Sequence, residues 1–160
     1  MTHPDPSPQS SPHPAPDPRA SEMHTAGMAV RREVLSDEHV DRAERDKDEL
    51  TTEFQSFITR YAWGEVWTRP GLNRRMRSAI TITALVAQGH WGELAMHLRA
   101  ALRNGLSVGE IQEILLQSAI YCGVPAANHA FGIAQDVLAA HGGGAECAAP
   151  NALHPEEGSR

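Results

Sequence analysis

Residues 91–105 read WGELAMHLRAALRNG, and the spacing of their apolar side chains decides the fold class. Leu94, Leu98 and Ala101 recur every three or four residues, which places them on one face of an α-helix. Gly105 is the residue type at which such a helix commonly ends. This stretch therefore predicts a helix with one buried face, from about residue 92 to residue 103.

The same helix carries an acid and an imidazole. Glu93 and His97 lie four residues apart, so they share a face, with Cβ atoms roughly 5–6 Å apart. A carboxylate and an imidazole are the two side chains most used for moving protons. The spacing is also common on solvated helix faces, and that alternative remains open. The pair is a candidate proton-transfer site.

Helical patterns continue on both sides of this stretch. Their apolar residues recur at three- and four-residue spacing, over residues 46–61, 74–87 and 126–140. Ser107 and Glu110 form a capping box that begins a further helix, and Pro125 interrupts it. Residues 63–71, WGEVWTRPG, predict a turn or irregular crossing. No alternating strand pattern occurs, so we predict an all-α fold of five to six helices.

The helix predicted over residues 74–87 is apolar on too many sides for a surface helix. We expect it to lie buried between neighbours or at a subunit contact.

Composition divides the chain into one domain and two tails. Seven of its eleven prolines fall within the first eighteen residues, which predicts a disordered tail over residues 1–30. The chain of 160 residues suits a single domain, predicted over residues 31–141. Residues 142–160 predict a second flexible tail.

Charge and composition argue against several classes of partner. The net charge of −6 and the lack of a basic stripe argue against nucleic-acid binding. No apolar run reaches the roughly 18 residues of a membrane span. Cys122 and Cys147 are the only cysteines, and this usage fits a reducing cytoplasm. No pattern for a metal or a nucleotide is present, so we expect no cofactor.

Several motifs, in order, resemble the 4-carboxymuconolactone decarboxylases. They are residues 61–72 (YAWGEVWTRPGL), Glu93 with residues 97–101 (HLRAA), Asn104-Gly105, residues 115–117 (LLQ) and residues 120–128 (IYCGVPAAN). The resemblance covers roughly residues 35–140. It implies an AhpD-like helical fold and a homo-oligomer, usually a hexamer. It further implies a cofactor-free carboxy-lyase that converts 4-carboxymuconolactone to the enol-lactone of 3-oxoadipate in protocatechuate catabolism.

The reaction that this resemblance implies suggests roles for the candidate residues. The substrate is a dianionic lactone that serves as its own electron sink, so the protein must supply a proton and oxyanion donors. His97 is the candidate proton donor or oxyanion partner, and Glu93 the group that orients and charges it.

Guanidinium groups suit the substrate's carboxylates. We favour Arg74 and Arg77 over Arg75, because the first two share a helix face. Tyr121 and Asn128, which flank the Pro125 break, are candidates for lining the pocket.

Two other functions remain open. Redox members of the same superfamily carry a CxxC motif and, after three intervening residues, a histidine that lines up with His97. His90 and Glu93 stand where those cysteines would be, which removes the thiol-disulfide cycle. An AhpD-like thiol peroxidase would have to use Cys122. The second alternative is a non-catalytic oligomeric member of the family.

Overall fold

A computed structural model of the chain describes residues 17–142, which divide into two compact units after Pro70. Unit 1 contains four helical elements: α1 (Pro18–Leu35), α2 (Asp37–Arg45), α3 (Glu49–Ile58) and a π-helical segment (Thr59–Val66). Unit 2 contains α4 (Arg74–Gln88), α5 (Trp91–Arg103), α6 (Val108–Cys122) and α7 (Val124–Gly142). No strand occurs within residues 17–142. The predicted all-α class is confirmed, and the number of helices is higher than predicted.

Helix α1 corrects the boundary of the predicted N-terminal tail. Residues 18–30, assigned to the disordered tail, are helical. The Asp17 side chain accepts a hydrogen bond from the Arg19 amide, and Pro18 occupies the first helical position, where its missing amide proton costs nothing. The last proline of the proline-rich stretch, Pro18, is therefore the first residue of α1. The predicted disorder of residues 1–16 and of 143–160 lies outside the described residues.

Two glycines allow α1 and the π-helical segment to approach each other closely. A Cβ atom on Gly27 would lie 2.1 Å from the Thr59 carbonyl oxygen. A Cβ atom on Gly64 would lie 2.2 Å from the Met23 carbonyl oxygen.

The turn predicted over residues 63–71 is wrong for its first part. Residues 63–66 continue the helical path, which the sequence pattern did not reveal because glycine and aromatic residues also favour turns.

Arg31 joins α1 to α3 and to the π-helical segment. Its side chain is buried, with 4% of the residue surface exposed. The guanidinium group donates to Thr59 Oγ1 at 3.2 Å and to Gln55 Oε1 at 2.9 Å. Burial lowers the pKa of Arg31 from its ordinary value, and the charge of Glu44 opposes this shift. The hydrogen bonds offset part of the cost of removing the guanidinium from water.

The core of unit 2 forms where α4, α5, α6 and α7 pack together. It is built from large buried side chains at helical spacing, namely Ile82, Val86, Leu94, Leu98, Ile111 and Leu115. Helices α4 and α5 are joined by a short turn, so they run antiparallel, and Asn104 Nδ2 donates to Ser78 Oγ at 2.9 Å across the pair. Helix α4 is not buried on all sides within the chain, since Met76 and Ile80 are about half exposed.

The capping box at the start of α6 forms as the sequence predicts. Ser107 Oγ accepts from the Glu110 amide at 3.2 Å, and Glu110 Oε2 accepts from the Ser107 amide at 2.8 Å. Hydrogen bonds from Ser107 lower the pKa of Glu110, and the nearby Arg75 guanidinium lowers it further. The helix ends at Gly123, which has a φ of +92°. The predicted break at Pro125 therefore falls at Gly123, and Pro125 lies in the first turn of α7.

Candidate active site

Helix α5 places Glu93 and His97 one turn apart. Leu94 and Leu98 are buried in the core of unit 2 and set the orientation of the helix. Glu93 is exposed in the first turn, and His97 is half-buried. The Nδ1 atom of His97 is buried from solvent. An imidazole with one nitrogen inside and part of its surface outside suits proton exchange with a bound molecule.

The three arginines at the start of α4 differ in their surroundings. Arg74 is half-buried at the first helical position. Arg77, one turn later, is half-buried, and its Nε atom is buried from solvent. Arg75 is more exposed and forms an ion pair with Glu110. Arg75 is thus engaged in a contact between α4 and α6.

The Ser78–Asn104 hydrogen bond sets the register between α4 and α5. His97 precedes Asn104 by seven residues, which is roughly 10 Å along the helix axis, and Glu93 precedes it by eleven, roughly 16 Å. Because Arg77 is next to Ser78, it lies at the end of unit 2 away from Glu93. Within unit 2, the arginines and the Glu93–His97 pair therefore lie at different heights of the helix pair.

Asn128 lies toward the Glu93 end of unit 2. It is exposed in α7 and is followed by His129, whose ring packs on Trp91 with a centroid separation of 4.5 Å. Trp91 is the first residue of α5, two positions before Glu93. The start of α7 thus lies beside the start of α5.

Tyr121 lies in a groove between α4 and α6 that sequence reasoning did not predict. The side chain is 80% exposed, in the last turn of α6. The groove has a volume of about 730 Å³ and is lined mainly by apolar and small residues, which include Ile80, Thr83 and Ala87. The excess of apolar residues on α4 was the sequence signal for this surface. Neither Glu93 nor His97 lines the groove.

A second groove, of about 540 Å³, lies at the arginine end of the same two helices. It is lined by Arg75 together with two carboxylates, those of Glu110 and Glu113. Because carboxylates outnumber guanidinium groups, this groove does not suit a dianion. The arginines favoured by the sequence, Arg74 and Arg77, are not among the residues that line it.

Cys122, half-buried at the end of α6, packs against the core of unit 2. Within residues 17–142, no group of three or more His, Cys, Asp or Glu side chains is placed to hold a metal ion. Over the same residues, no helix is both long enough and apolar enough to cross a membrane.

Unit 2 thus combines a carboxylate–imidazole pair on α5 with arginines at the start of α4, within an all-α fold. Residues 52–136 match the Carboxymuconolactone decarboxylase family. The chain belongs to this family, as the sequence motifs predicted.

Three curated relatives agree with this assignment. A 4-carboxymuconolactone decarboxylase from Acinetobacter baylyi is 45% identical over 117 residues, covering 73% of this chain and 87% of the relative. The nitrosuccinic acid decarboxylase npaB from Metarhizium robertsii is 41% identical over 112 residues, covering 70% and 78%. A 4-carboxymuconolactone decarboxylase from Pseudomonas putida is 48% identical over 44 residues, covering 28% and 92%. The predicted enzyme class, a carboxy-lyase, is confirmed at the level of the family.

Proposed function

We propose that this chain decarboxylates 4-carboxymuconolactone to the enol-lactone of 3-oxoadipate, in the protocatechuate branch of aromatic-acid catabolism. The observation that carries the proposal is the 45% identity to a 4-carboxymuconolactone decarboxylase over 87% of that relative's length. The matched family segment, residues 52–136, includes the Glu93–His97 pair and all the arginines of α4.

The substrate itself carries the electrons of this reaction. The bond from the γ-carbon to its carboxylate breaks, carbon dioxide leaves, and the electron pair moves through the conjugated double bond onto the lactone carbonyl oxygen. A proton added at the α-carbon of the resulting dienolate gives the enol-lactone. The protein therefore has to stabilise an oxyanion and deliver one proton, and no cofactor is required for either task.

His97 is the proposed proton donor or oxyanion partner, and Glu93 orients and charges it. The half-buried position of His97 and its buried Nδ1 support this role, because one ring nitrogen is held inside while part of the ring remains accessible.

Arg74 and Arg77 are the proposed carboxylate-binding residues. Because Arg77 and His97 lie at helix levels roughly 10 Å apart, we propose that the guanidinium binds the carboxylate that is retained rather than the reacting carbon's own group. Tyr121 and Asn128 are also proposed to line the substrate pocket. The enzyme is further proposed to act as a homo-oligomer, a hexamer, in the cytoplasm, without nucleic-acid or membrane partners.

Nitrosuccinic acid is a second candidate substrate, favoured by the 41% identity to a decarboxylase named for it. It shares the chemistry of the lactone. It carries two carboxylates, and loss of carbon dioxide beside the nitro group places the electron pair on the nitro oxygens. Both acids are thus dianions that act as their own electron sink, and the same proton donor serves either reaction.

The test is to incubate the purified full-length chain with each acid and to measure carbon dioxide release and the product. We expect release from the lactone in the presence of a metal chelator and after alkylation of the cysteines. Turnover of nitrosuccinic acid at a higher kcat/KM would favour the second candidate. Loss of activity on alkylation, with peroxide reduction by the untreated protein, would favour the thiol peroxidase. Turnover of neither acid would overturn the proposed function.

A further inference from the structure

Helix α3 and the segment that follows it carry an exposed apolar stripe. The stripe consists of Leu50, Phe54, Phe57 and Tyr61, at spacings of four, three and four residues. This spacing places the four side chains on one helix face, and the ring centroids of Phe57 and Tyr61 lie 4.9 Å apart. Their exposed fractions lie between 51% and 86%, and α3 contains no buried residue. A row of three aromatic rings and a leucine facing water indicates an interaction surface.

The spacing of the stripe is that of a helix-pairing seam. Apolar residues at alternating intervals of three and four form the contact line between two paired helices, and the residues beside that line set the orientation of the partner. Glu53 and Arg60 lie on the same edge of the stripe, seven residues apart, one in its N-terminal half and one in its C-terminal half. The opposite edge carries Thr51 and Ile58, which are uncharged.

We propose that the stripe pairs with the same stripe of a second copy of this chain, with the two helices antiparallel. A two-fold axis between Phe54 and Phe57 places each of these rings opposite the other ring of the second copy. In this arrangement Glu53 of each copy meets Arg60 of the other, and two ion pairs form. In a parallel pair the charged edge would meet the uncharged edge, so the charges select the antiparallel orientation.

Arg60 retains donors for this contact. Its Nη1 donates to Ser56 Oγ at 3.0 Å within the same helix. A guanidinium group has five N–H donors, so others remain for a carboxylate of the second copy. The bond to Ser56 restricts the side chain, which lowers the entropy lost on pairing.

The area of the stripe indicates how strong the pairing is. A buried aromatic side chain covers roughly 150–250 Å², and three half-exposed rings with a leucine thus bury roughly 300–500 Å² per copy. A stable interface buries about 1,200 Å² or more in total over both partners. We therefore expect this contact by itself to give a weak, concentration-dependent dimer, or to form one contact of a larger assembly.

The test is charge reversal measured by sedimentation velocity on the full-length chain over a range of concentrations. Glu53→Arg and Arg60→Glu each turn both ion pairs into like-charge contacts, and we expect each to raise the dissociation constant roughly tenfold or more. The double variant E53R/R60E exchanges the charges and should return the constant to within about threefold of the wild-type value. Circular dichroism checks that every variant keeps its helical content.

Glu22→Arg is the matched control, because it makes the same change of charge at an exposed position of α1 and should leave the association unchanged. Single variants that associate like the wild type would overturn the proposal. A double variant as weak as the single ones would also overturn it, and would mean that another surface covers the stripe. A wild-type chain that sediments as a monomer at every concentration would overturn it as well. Decarboxylase activity is not a readout, so the result is independent of the proposed reaction.

Discussion

At the scale of single residues, α5 carries a buried leucine directly after each residue of the candidate pair, and this arrangement recurs after one helical turn. Leu94 and Leu98 are buried, whereas Glu93 is exposed and His97 is half-buried. The two leucines hold the helix by burying apolar surface, at roughly 1.5–3 kcal/mol for each side chain. Because His97 is not part of this apolar core, we expect its replacement to have little effect on folding.

Replacing His97 with alanine should therefore lower kcat by roughly 10²–10⁴-fold, the usual contribution of a general acid, while the helical content stays the same. The rate of carbon dioxide release measures kcat, and circular dichroism measures the helical content. His141→Ala, at the exposed end of α7, is the control and should keep the wild-type rate. A His97→Ala variant with wild-type turnover would remove His97 from the mechanism.

Replacing Arg77 with lysine tests the carboxylate-binding role. Lysine keeps the charge but loses the planar fork that binds a carboxylate through two hydrogen bonds. We expect KM to rise severalfold with little change in kcat. KM of the wild type should also climb with ionic strength, because salt screens partly exposed charges.

Arg75→Lys is the comparison, since Arg75 is engaged with Glu110 and should matter less for KM. The reverse ranking of the two variants would assign the wrong arginine to the substrate.

At the scale of elements, the packing of α1 on the π-helical segment depends on glycine at position 27. A methyl group there would lie 2.1 Å from the Thr59 carbonyl oxygen, so one backbone has to move. We expect Gly27→Ala to lower the free energy of unfolding by about 3 kcal/mol, at the upper end of overpacking effects. Urea unfolding, followed by circular dichroism, measures this change.

Gly132→Ala is the matched control in the middle of α7. A Cβ atom at that position meets nothing within 4 Å, so alanine should raise the free energy of unfolding by about 0.5–1 kcal/mol through its better helix propensity. If both alanine variants changed stability alike, the close approach of α1 to the π-helical segment would be refuted.

The capping box of α6 predicts a dependence of stability on pH. Because folding lowers the pKa of Glu110 below its ordinary value of 4.5, the ionised carboxylate stabilises the fold above about that pH. This stabilisation is lost as the pH falls through the lower, folded pKa. Glu110→Gln, which resembles the protonated acid, should have a lower melting temperature than the wild type at pH 7.

Thermal melts of the wild type and Glu110→Gln between pH 3 and pH 7 check this sign. The two melting temperatures should converge toward the acid end of the range. A difference that is the same at every pH would show that the charge of Glu110 does not stabilise the start of α6.

At the scale of the whole molecule, the extent of the folded chain is larger than composition indicated. Removing residues 1–30 deletes most of α1, together with Gly27, and should lower the melting temperature by several degrees. Removing residues 1–16 keeps Asp17, which caps α1, and should leave the melting temperature nearly unchanged. Differential scanning calorimetry of the two truncated chains measures both effects. Equal melting temperatures for the two would mean that α1 adds nothing to stability.

Local signals explain why much of the architecture could be predicted. The capping box of Ser107 and Glu110 and the apolar spacing of α5 act through neighbours within one or two turns, and both elements lie where the sequence indicated. The apolar spacing of α5 and the four-residue interval placed Glu93 and His97 on one helix. Prediction failed over residues 18–30, which were assigned to the tail together with the proline-rich residues before them. Proline at the first position of a helix is common, so Pro18 marks the start of α1 and not a continuation of the tail.

The sequence by itself determined the all-α class, most helix ends in unit 2, and the family, because periodicity, capping residues and motifs are local properties of the chain. Only the tertiary structure decided that residues 63–66 are helical, that Arg31 is buried between α1 and α3, and that the arginines of α4 lie at the end of unit 2 away from Glu93. These properties depend on which helices meet and at what register. That choice is made by contacts between residues far apart in the chain, such as Gly27 with Thr59 and Ser78 with Asn104.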